Sequence, residues 1–331
     1  MSDPVNRPAG AIAPNTSRRR RWLLPLALGL VSTALSLGIA EVVCRFLVPS
    51  TVWGDLFVLD PDPALAFALA PGADIEFDGI GIQIPPTRVQ VSQQGLRGGL
   101  VAVPKPPGVR RLLCVGDSVT FGWGVPVSDS FCSRLAALLG PPWETINLGV
   151  PGYNTGQEVR RLERVGLAFE PDAVVVQFDG NDFEPVDVQA DSDSTWAWLV
   201  DHSALCRWLH MRLSGGPRRV DDQGGDQGEG QGPGPADATS GVAAVTAAFD
   251  RLQVLSRGRF TTLVAMRARD VDKALLVALA DRQIPVLDLA PALYGPPDQI
   301  EIPGDGHPTA EGHRRIAVAI AQELRARGFL R

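Results

Sequence analysis

The stretch that decides the fold is LLCVGDSVTFGWG, residues 112–124, which joins an apolar run to an Asp-Ser pair and three glycines. An apolar run that ends in glycine is typical of a strand buried on both faces of a parallel sheet. The Asp-Ser pair that follows allows two interpretations. Either Asp117 and Ser118 cap the next helix, or Ser118 is a nucleophile at the carboxyl end of the strand. The rest of the chain has to decide between them.

Strand and helix patterns alternate from residue 110 to the end of the chain. The strand candidates are RLLCVG (111–116), ETINLG (144–149), DAVVVQF (172–178), FTTLVAM (260–266) and IPVLDLA (284–290). The helix candidates are residues 130–139, 156–169, 242–256, 270–282 and 309–327. This order predicts an α/β fold of three layers, α/β/α, around a mostly parallel five-stranded sheet with right-handed crossovers. In such sheets the functional crevice lies outside the carboxyl ends of the strands.

Residues 22–48 predict a transmembrane anchor. The 19 residues 22–40 contain no charged side chain, and four arginines precede them. Basic residues favour the cytoplasmic side, so residues 1–21 are predicted to be a disordered basic cytoplasmic tail and the rest of the chain to be exported. An uncleaved anchor is the preferred interpretation. A cleaved signal peptide and a buried core helix are the alternatives.

The remainder divides into a membrane-proximal β-rich segment, residues 49–108, and an α/β domain, residues 109–331. Residues 187–241 interrupt the alternation as an insertion, and within it residues 214–241 are low-complexity Gly, Asp, Gln and Pro, which predicts flexibility. Of the four cysteines, Cys132 and Cys206 are the pair that an oxidising compartment could join, and the sequence leaves their pairing open. The net charge of −6 argues against a nucleic-acid partner.

Polar residues follow the strands, and a general base can be found among them by elimination. Of the four histidines, His202 and His210 fall in the insertion and His313 lies one turn inside the final helix. His307 alone occupies a loop at the carboxyl rim, which makes it the candidate base for Ser118, although a solvated loop histidine is the alternative. Asp305, two residues earlier, is placed to orient the imidazole ring.

Acyl transfer also needs N–H donors for the oxyanion that develops. The Ser118 backbone N–H at a helix start, a glycine N–H from the loop at 147–155 and the Asn181 side-chain amide are the candidates. The alternative for Asn181 and Asp182 is a simple Asx turn that closes the loop. Trp123 is expected to pack beside the nucleophile, with a substrate platform as the weaker possibility.

Four passages together resemble the SGNH, or GDSL-type, hydrolase family, whose fold is flavodoxin-like. They are GDSVT (116–120), NLGVPG (147–152), DGND (179–182) and DGHPTAEGH (305–313), in the family's block order across about residues 110–327. The resemblance implies Ser118 as nucleophile and His307 as base, with Gly152 and Asn181 as oxyanion donors. The anchor, QGLRG (94–98) and GDSVTFGWGV (116–125) resemble a membrane-anchored bacterial branch of that family.

Two positions depart from the family pattern. Asp179 stands where the third block usually begins with glycine, while Gly180 and Asn181 are kept. Many members place the acid three residues before the histidine, where this chain has Gly304. Asp305 is therefore the acid only if the loop bends, and a backbone carbonyl is the alternative partner of His307.

The expected function is an exported serine esterase that de-acylates carboxylic esters without cofactor or metal. The resemblance implies an ester-bearing small molecule, lipid or glycan as substrate, and export favours acetyl esters of the cell envelope. Three alternatives remain. An O-acyltransferase would use the same serine, a metal-dependent phosphoesterase would use Asp179, Asn181, Asp305 and His307 as ligands, and a silent subunit would only bind glycan.

Overall fold

The computed structural model describes residues 16–47, 56–77, 86–183, 199, 203–206, 209, 235–267 and 273–330. Within them, the predicted sheet is confirmed. Five parallel strands lie in the order β6-β5-β7-β8-β9. Their bounds are β5 Arg110–Val115, β6 Trp143–Asn147, β7 Ala173–Phe178, β8 Thr261–Met266 and β9 Val286–Asp288. Every residue of β7 is buried, as its β-branched run predicts.

Helices cover both faces of this sheet. They are α2 Ser118–Phe121, α3 Phe131–Leu139, α4 Thr155–Arg164, α5 Pro235–Ser256, α6 Lys273–Asp281, α7 Pro297–Ile300 and α8 Ala310–Ala326. On one face, α3 and α8 pack Leu135 and Ile320 against the strands. On the other face, α4 and α5 bury Leu162 and Phe249. Burial of each such side chain contributes about 1.5–3 kcal/mol to the free energy of folding, so the helices on both faces stabilise the sheet as the middle layer.

Several boundaries differ from the sequence prediction. The predicted helix at 242–256 begins at Pro235, because proline suits a first helical turn and alanines follow it. The flexible segment predicted for 214–241 therefore overlaps this helix, and residues 214–234 lie outside the described part. The helix predicted over 156–169 ends at Arg164 and is followed by a 3-10 turn, Gly166–Phe169.

Two short hairpins precede the sheet and pack against its carboxyl rim. Strands β1 (Phe57–Leu59) and β2 (Phe67–Leu69) pair antiparallel, as do β3 (Asp74–Phe77) and β4 (Thr87–Gln90). Their buried side chains share one cluster with the rim, which includes Leu65, Leu69, Val89, Phe121, Trp123 and Tyr153. The hairpins are thus covered by the α/β domain, although the predicted boundary at 108 remains a prediction.

The N-terminal helix α1 (Thr16–Leu47) contains a stretch, Pro25–Arg45, of mean hydropathy 1.9, long and apolar enough to cross a membrane. A signal sequence would have the same length and composition. The helix begins within the tail predicted to be disordered over 1–21, because arginines continue a helix readily. Glu41 near its end accepts hydrogen bonds from Ser203 Oγ at 2.7 Å and Leu205 N–H at 3.0 Å. This contact ties the helix to the insertion.

The cysteine pairing that the sequence left open does not form. All four cysteines carry free thiols. Cys132 lies on α3, where its thiol is hydrogen-bonded with Cys114, and burial together with this contact raises the pKa of Cys114 well above its ordinary value. Cys206 follows the residues that meet Glu41 instead.

Candidate active site

The structure brings Ser118 and His307 together across 189 residues of chain, with Ser118 Oγ 2.7 Å from His307 Nε2. Ser118 opens α2 directly after β5, and His307 lies in the loop between α7 and α8. The capping role falls to Asp117, whose Oδ1 accepts the Val119 N–H at 2.9 Å. The helix start therefore does not need the Ser118 hydroxyl, which faces the imidazole.

Asp305 approaches the other ring nitrogen of the histidine. Its Oδ1 forms a short hydrogen bond with His307 Nδ1 and accepts the His307 backbone N–H at 3.2 Å. Gly304 and Gly306 both have left-handed φ, at +75° and +83°, which bends the loop enough for an acid two residues away to reach the ring. Burial disfavours the charged carboxylate, but the hydrogen bonds from His307 outweigh it, and the pKa of Asp305 lies below its ordinary value.

Trp123 is more than packing at this point of the site. Its side chain hydrogen-bonds with Asp305, and its ring centroid lies 5.9 Å from that of His307. Indole can only donate, so the bond supports the ionised carboxylate. Reasoning from the sequence missed this contact, because Trp123 and Asp305 are far apart along the chain.

The three candidate oxyanion donors come from the ends of three neighbouring strands. Ser118 follows β5, Gly152 follows β6 with φ +82°, and Asn181 follows β7 in a 3-10 turn, Gly180–Phe183. Within the described part of the chain, no acceptor meets the Ser118 or Gly152 N–H. One amide hydrogen of Asn181 goes to Asp117 Oδ2 at 2.9 Å, which leaves the second amide hydrogen for a ligand.

The loop after β6 is held against α2 by backbone contact. Asn147 Nδ2 donates to Thr120 O at 2.7 Å, and its Oδ1 accepts the Gly149 N–H at 2.9 Å. A Cβ on Gly149 would lie 2.3 Å from Phe121 N, so only glycine allows this approach. Val150 N–H also donates to Gly116 O at 3.2 Å. These bonds set the loop that carries Gly152 beside the nucleophile.

The loop after β7 is held by the buried Asp182, which the Asx-turn alternative had emphasised. Its Oδ2 accepts the N–H of Asp179, three residues earlier, at 2.6 Å, whereas an Asx turn would use an N–H two residues further on, and its Oδ1 accepts the Thr155 hydroxyl at 2.8 Å. Burial, then the charge of Asp117, raises the pKa of Asp182 well above its ordinary value. Asp182 thus braces the turn that presents Asn181.

His313 is buried in α8 and is unsuited to be the base. Its Nδ1 accepts the Phe131 N–H at 3.3 Å, and burial lowers its pKa to about 3, so the ring is neutral. His202 and His210 lie outside the described residues.

The four residues that the phosphoesterase alternative needs as metal ligands all have protein partners. Asp179 pairs with Arg267, Asn181 with Asp117, and Asp305 with His307. Among the residues with described side chains, no group of three or more His, Cys, Asp or Glu is arranged to hold a metal ion.

A hydroxyl, an imidazole and a carboxylate in this sequence have the geometry that nucleophilic acyl transfer uses. A parallel sheet that carries such groups at its carboxyl rim is one of several scaffolds on which this geometry recurs. The chain belongs to the GDSL-like lipase/acylhydrolase family, whose profile matches residues 114–315. No curated protein matches the chain.

Several solved structures are similar to it. A lipase/acylhydrolase from Enterococcus faecalis is 18% identical, with 66% of this chain and 97% of that one covered and a TM-score of 0.41. A carbohydrate acetylesterase family member from Sinorhizobium meliloti is 14% identical, with coverages of 66% and 98% and a TM-score of 0.41. A lipolytic G-D-S-L protein from Veillonella parvula is 15% identical, with coverages of 66% and 100% and a TM-score of 0.40.

Proposed function

We propose that this protein is a serine esterase in which Ser118 attacks the carbonyl carbon of a carboxylic ester. His307 takes the Ser118 proton as the C–O bond forms, and later gives it to the leaving alkoxide. Water then repeats the sequence on the acyl-enzyme and releases the acid. The observation that carries the proposal is the 2.7 Å contact between Ser118 Oγ and His307 Nε2.

In the proposed mechanism the other site residues serve these two steps. Asp305 holds the His307 ring in one tautomer and stabilises the imidazolium. The Ser118 and Gly152 N–H groups and the Asn181 amide hold the oxyanion of the tetrahedral intermediate. Acetyl esters of cell-envelope carbohydrate or lipid are the substrate class we favour, since the apolar helix α1 would place the site at a membrane.

The test is covalent labelling of the full-length protein in detergent with a fluorophosphonate, together with hydrolysis of p-nitrophenyl acetate. We expect the wild type to be labelled, and Ser118→Ala to lose labelling and at least about 10³-fold in kcat. The melting temperature should stay nearly unchanged, because Asp117 caps α2.

Ser256→Ala is the matched control, since that hydroxyl only contacts the local Gln253 carbonyl, and it should be labelled like the wild type. Absence of labelling in the wild type would contradict the proposal and favour the silent glycan-binding alternative. Transfer of the acyl group to an added glycan, measured by mass spectrometry, would indicate the acyltransferase alternative instead of hydrolysis.

We further propose that α1 is an uncleaved anchor with the site on the extracytoplasmic face. Two measurements check this. The protein should stay in the membrane fraction after carbonate extraction, and protease added outside the inner membrane should digest the α/β domain. An amino terminus that begins near residue 41 would show a cleaved signal peptide instead.

A further inference from the structure

Asp179 stands where the GDSL family usually has glycine, and it is hydrogen-bonded to Arg267, which is distant along the chain. Its Oδ2 accepts a hydrogen bond from Arg267 Nε at 2.7 Å, and the same oxygen lies 2.6 Å from Arg267 Nη2 in an ion pair. Its Oδ1 accepts the Gly180 N–H at 2.8 Å. The carboxylate therefore fixes the residue next to Asn181 and the guanidinium at the same time.

The other arm of Arg267 reaches the loop of the base. Its Nη1 donates to the carbonyl oxygen of Gly306, directly before His307, at 2.9 Å. The Arg267 backbone N–H donates to Phe178 O at 2.9 Å, so the backbone of Arg267 is held at the carboxyl end of the sheet. The guanidinium thus bridges the loop that carries Asn181 and the loop that carries His307.

This bridge is shielded from solvent. The side chains of Arg267 and Asp179 are 17% and 16% exposed. An ion pair at that depth is screened less by salt than a surface pair, and a planar guanidinium fixes both partners in direction as well as distance.

We propose that Asp179 and Arg267 are a pair of positioning residues that sets the distance between the oxyanion donor Asn181 and the base His307. The proposal rests on the proposed esterase function. Acyl transfer needs both groups at one tetrahedral centre, and a displacement of about 1 Å costs up to about 10²-fold in rate. Asp179 and Arg267 do not touch the reacting atoms; they act through the two loops.

The same pair lines a groove of about 810 Å³ that runs from Gly180 and Gly306 to Tyr294 and Glu301. A residue that merely bound substrate in this groove would change KM, whereas a positioning residue changes kcat. The two roles can therefore be separated by kinetics.

The experiment compares Arg267→Ala, Arg267→Lys and Asp179→Asn with the wild type, as full-length proteins in detergent. With p-nitrophenyl acetate, we expect kcat to fall about 10- to 100-fold in each variant and KM to change less than about threefold. The double variant Asp179→Asn/Arg267→Lys should be about as slow as either single variant, because both break one link. Millimolar guanidinium ion should restore several-fold of kcat in Arg267→Ala.

Arg282→Ala is the matched control, since Arg282 also pairs with an aspartate, Asp250, but away from the site. Its Nε and Nη2 donate to the two carboxylate oxygens of Asp250 at 2.6 and 3.0 Å. It should keep the wild-type kcat. A folded Arg267 variant with kcat within twofold of the wild type, or with raised KM alone, would overturn the proposal. Fluorophosphonate labelling of the wild type distinguishes failure of this inference from failure of the proposed esterase function. If the wild type is labelled and the Arg267 variants have the kcat of the wild type, only the positioning role of Asp179 and Arg267 is wrong.

Discussion

At the residue scale, Asp117 makes the capping contact at the start of α2, so that the neighbouring Ser118 hydroxyl is left to contact His307. One carboxylate oxygen accepts the Val119 N–H and the other accepts the Asn181 amide, so one buried side chain caps α2 and orients the proposed oxyanion donor Asn181. Burial, then the charge of Asp179, raises the pKa of Asp117 above its ordinary value. Ser118 is the adjacent residue, and its hydroxyl meets His307.

Asp305→Asn is expected to lower kcat by about 10²- to 10⁴-fold with little change in KM. An amide of the same shape stabilises the wrong imidazole tautomer and carries no charge to balance the imidazolium. Steady-state kinetics with p-nitrophenyl acetate check this, with the exposed Asp281→Asn as control. Wild-type kcat in Asp305→Asn would show that a backbone carbonyl is the partner of His307.

The sequence pointed to Ser118 through its place after a strand and its motif, and to His307 by elimination among the histidines, but it left Asp305 in doubt. The reason is the left-handed backbone at Gly304 and Gly306, which is invisible in a residue spacing. The Arg267 link was missed for a different reason. Asp179 was visible as an unusual residue, but its partner lies 88 positions away in a segment with no motif.

At the element scale, helix α4 buries an acid for which the described residues offer no hydrogen-bond partner. Both carboxylate oxygens of Glu158 lie in the interior without one. Burial, followed by the charges of Asp182 and Asp117, raises the pKa of Glu158 well above its ordinary value. The carboxyl group is therefore held in its neutral form, next to the Thr155 end of the same helix.

The free energy of unfolding is expected to fall as pH rises above 4.5, the ordinary pKa of this group. Above that value the unfolded chain loses the Glu158 proton while the folded chain keeps it, which costs about 1.4 kcal/mol per pH unit until the folded pKa is reached. Glu158→Gln cannot ionise, so it should be more stable than the wild type at pH 8 and similar at pH 4. Urea denaturation at both pH values measures this.

Glu163→Gln, in the same helix, is the control of opposite sign. Its hydrogen bond with Arg251 lowers the pKa of Glu163, so the wild-type carboxylate adds stability above its ordinary pKa and the variant should lose a little at pH 8. Equal pH profiles for Glu158→Gln and the wild type would contradict the assignment.

The elements of the sheet were predictable because long apolar runs and helical spacing are strong signals. The hairpin strands were not placed individually, because three or four residues carry too short an alternation. Their position is decided by tertiary packing on Phe121 and Tyr153, which belong to the rim.

At the scale of the whole molecule, the buried side chains of the hairpins that the structure describes lie in one cluster shared with the α/β domain. Leu65 is buried with Trp123 and Tyr153, and Gln157 Nε2 on α4 donates to Leu65 O at 2.9 Å. Segments that share one core unfold together. The boundary at residue 108 stays a prediction, and side chains from both sides of it pack in the same cluster.

Residues 56–330 are expected to unfold in a single calorimetric transition. Leu65→Ala should lower the free energy of unfolding by about 2–5 kcal/mol, because it opens a cavity in the shared core. The whole transition should therefore move to a lower temperature. Differential scanning calorimetry of the full-length protein in detergent measures it, with the exposed Leu100→Ala as control. Two transitions, of which Leu65→Ala moves only one, would show that the hairpins are an independent unit.

The contact between Ser118 and His307 joins the end of β5 to the loop that precedes α8, across 189 positions. The ribosome adds Ser118 to the chain long before it adds His307. In the proposed esterase, the nascent polypeptide therefore carries an unactivated alcohol until the loop before α8 has been synthesised and folded against the sheet.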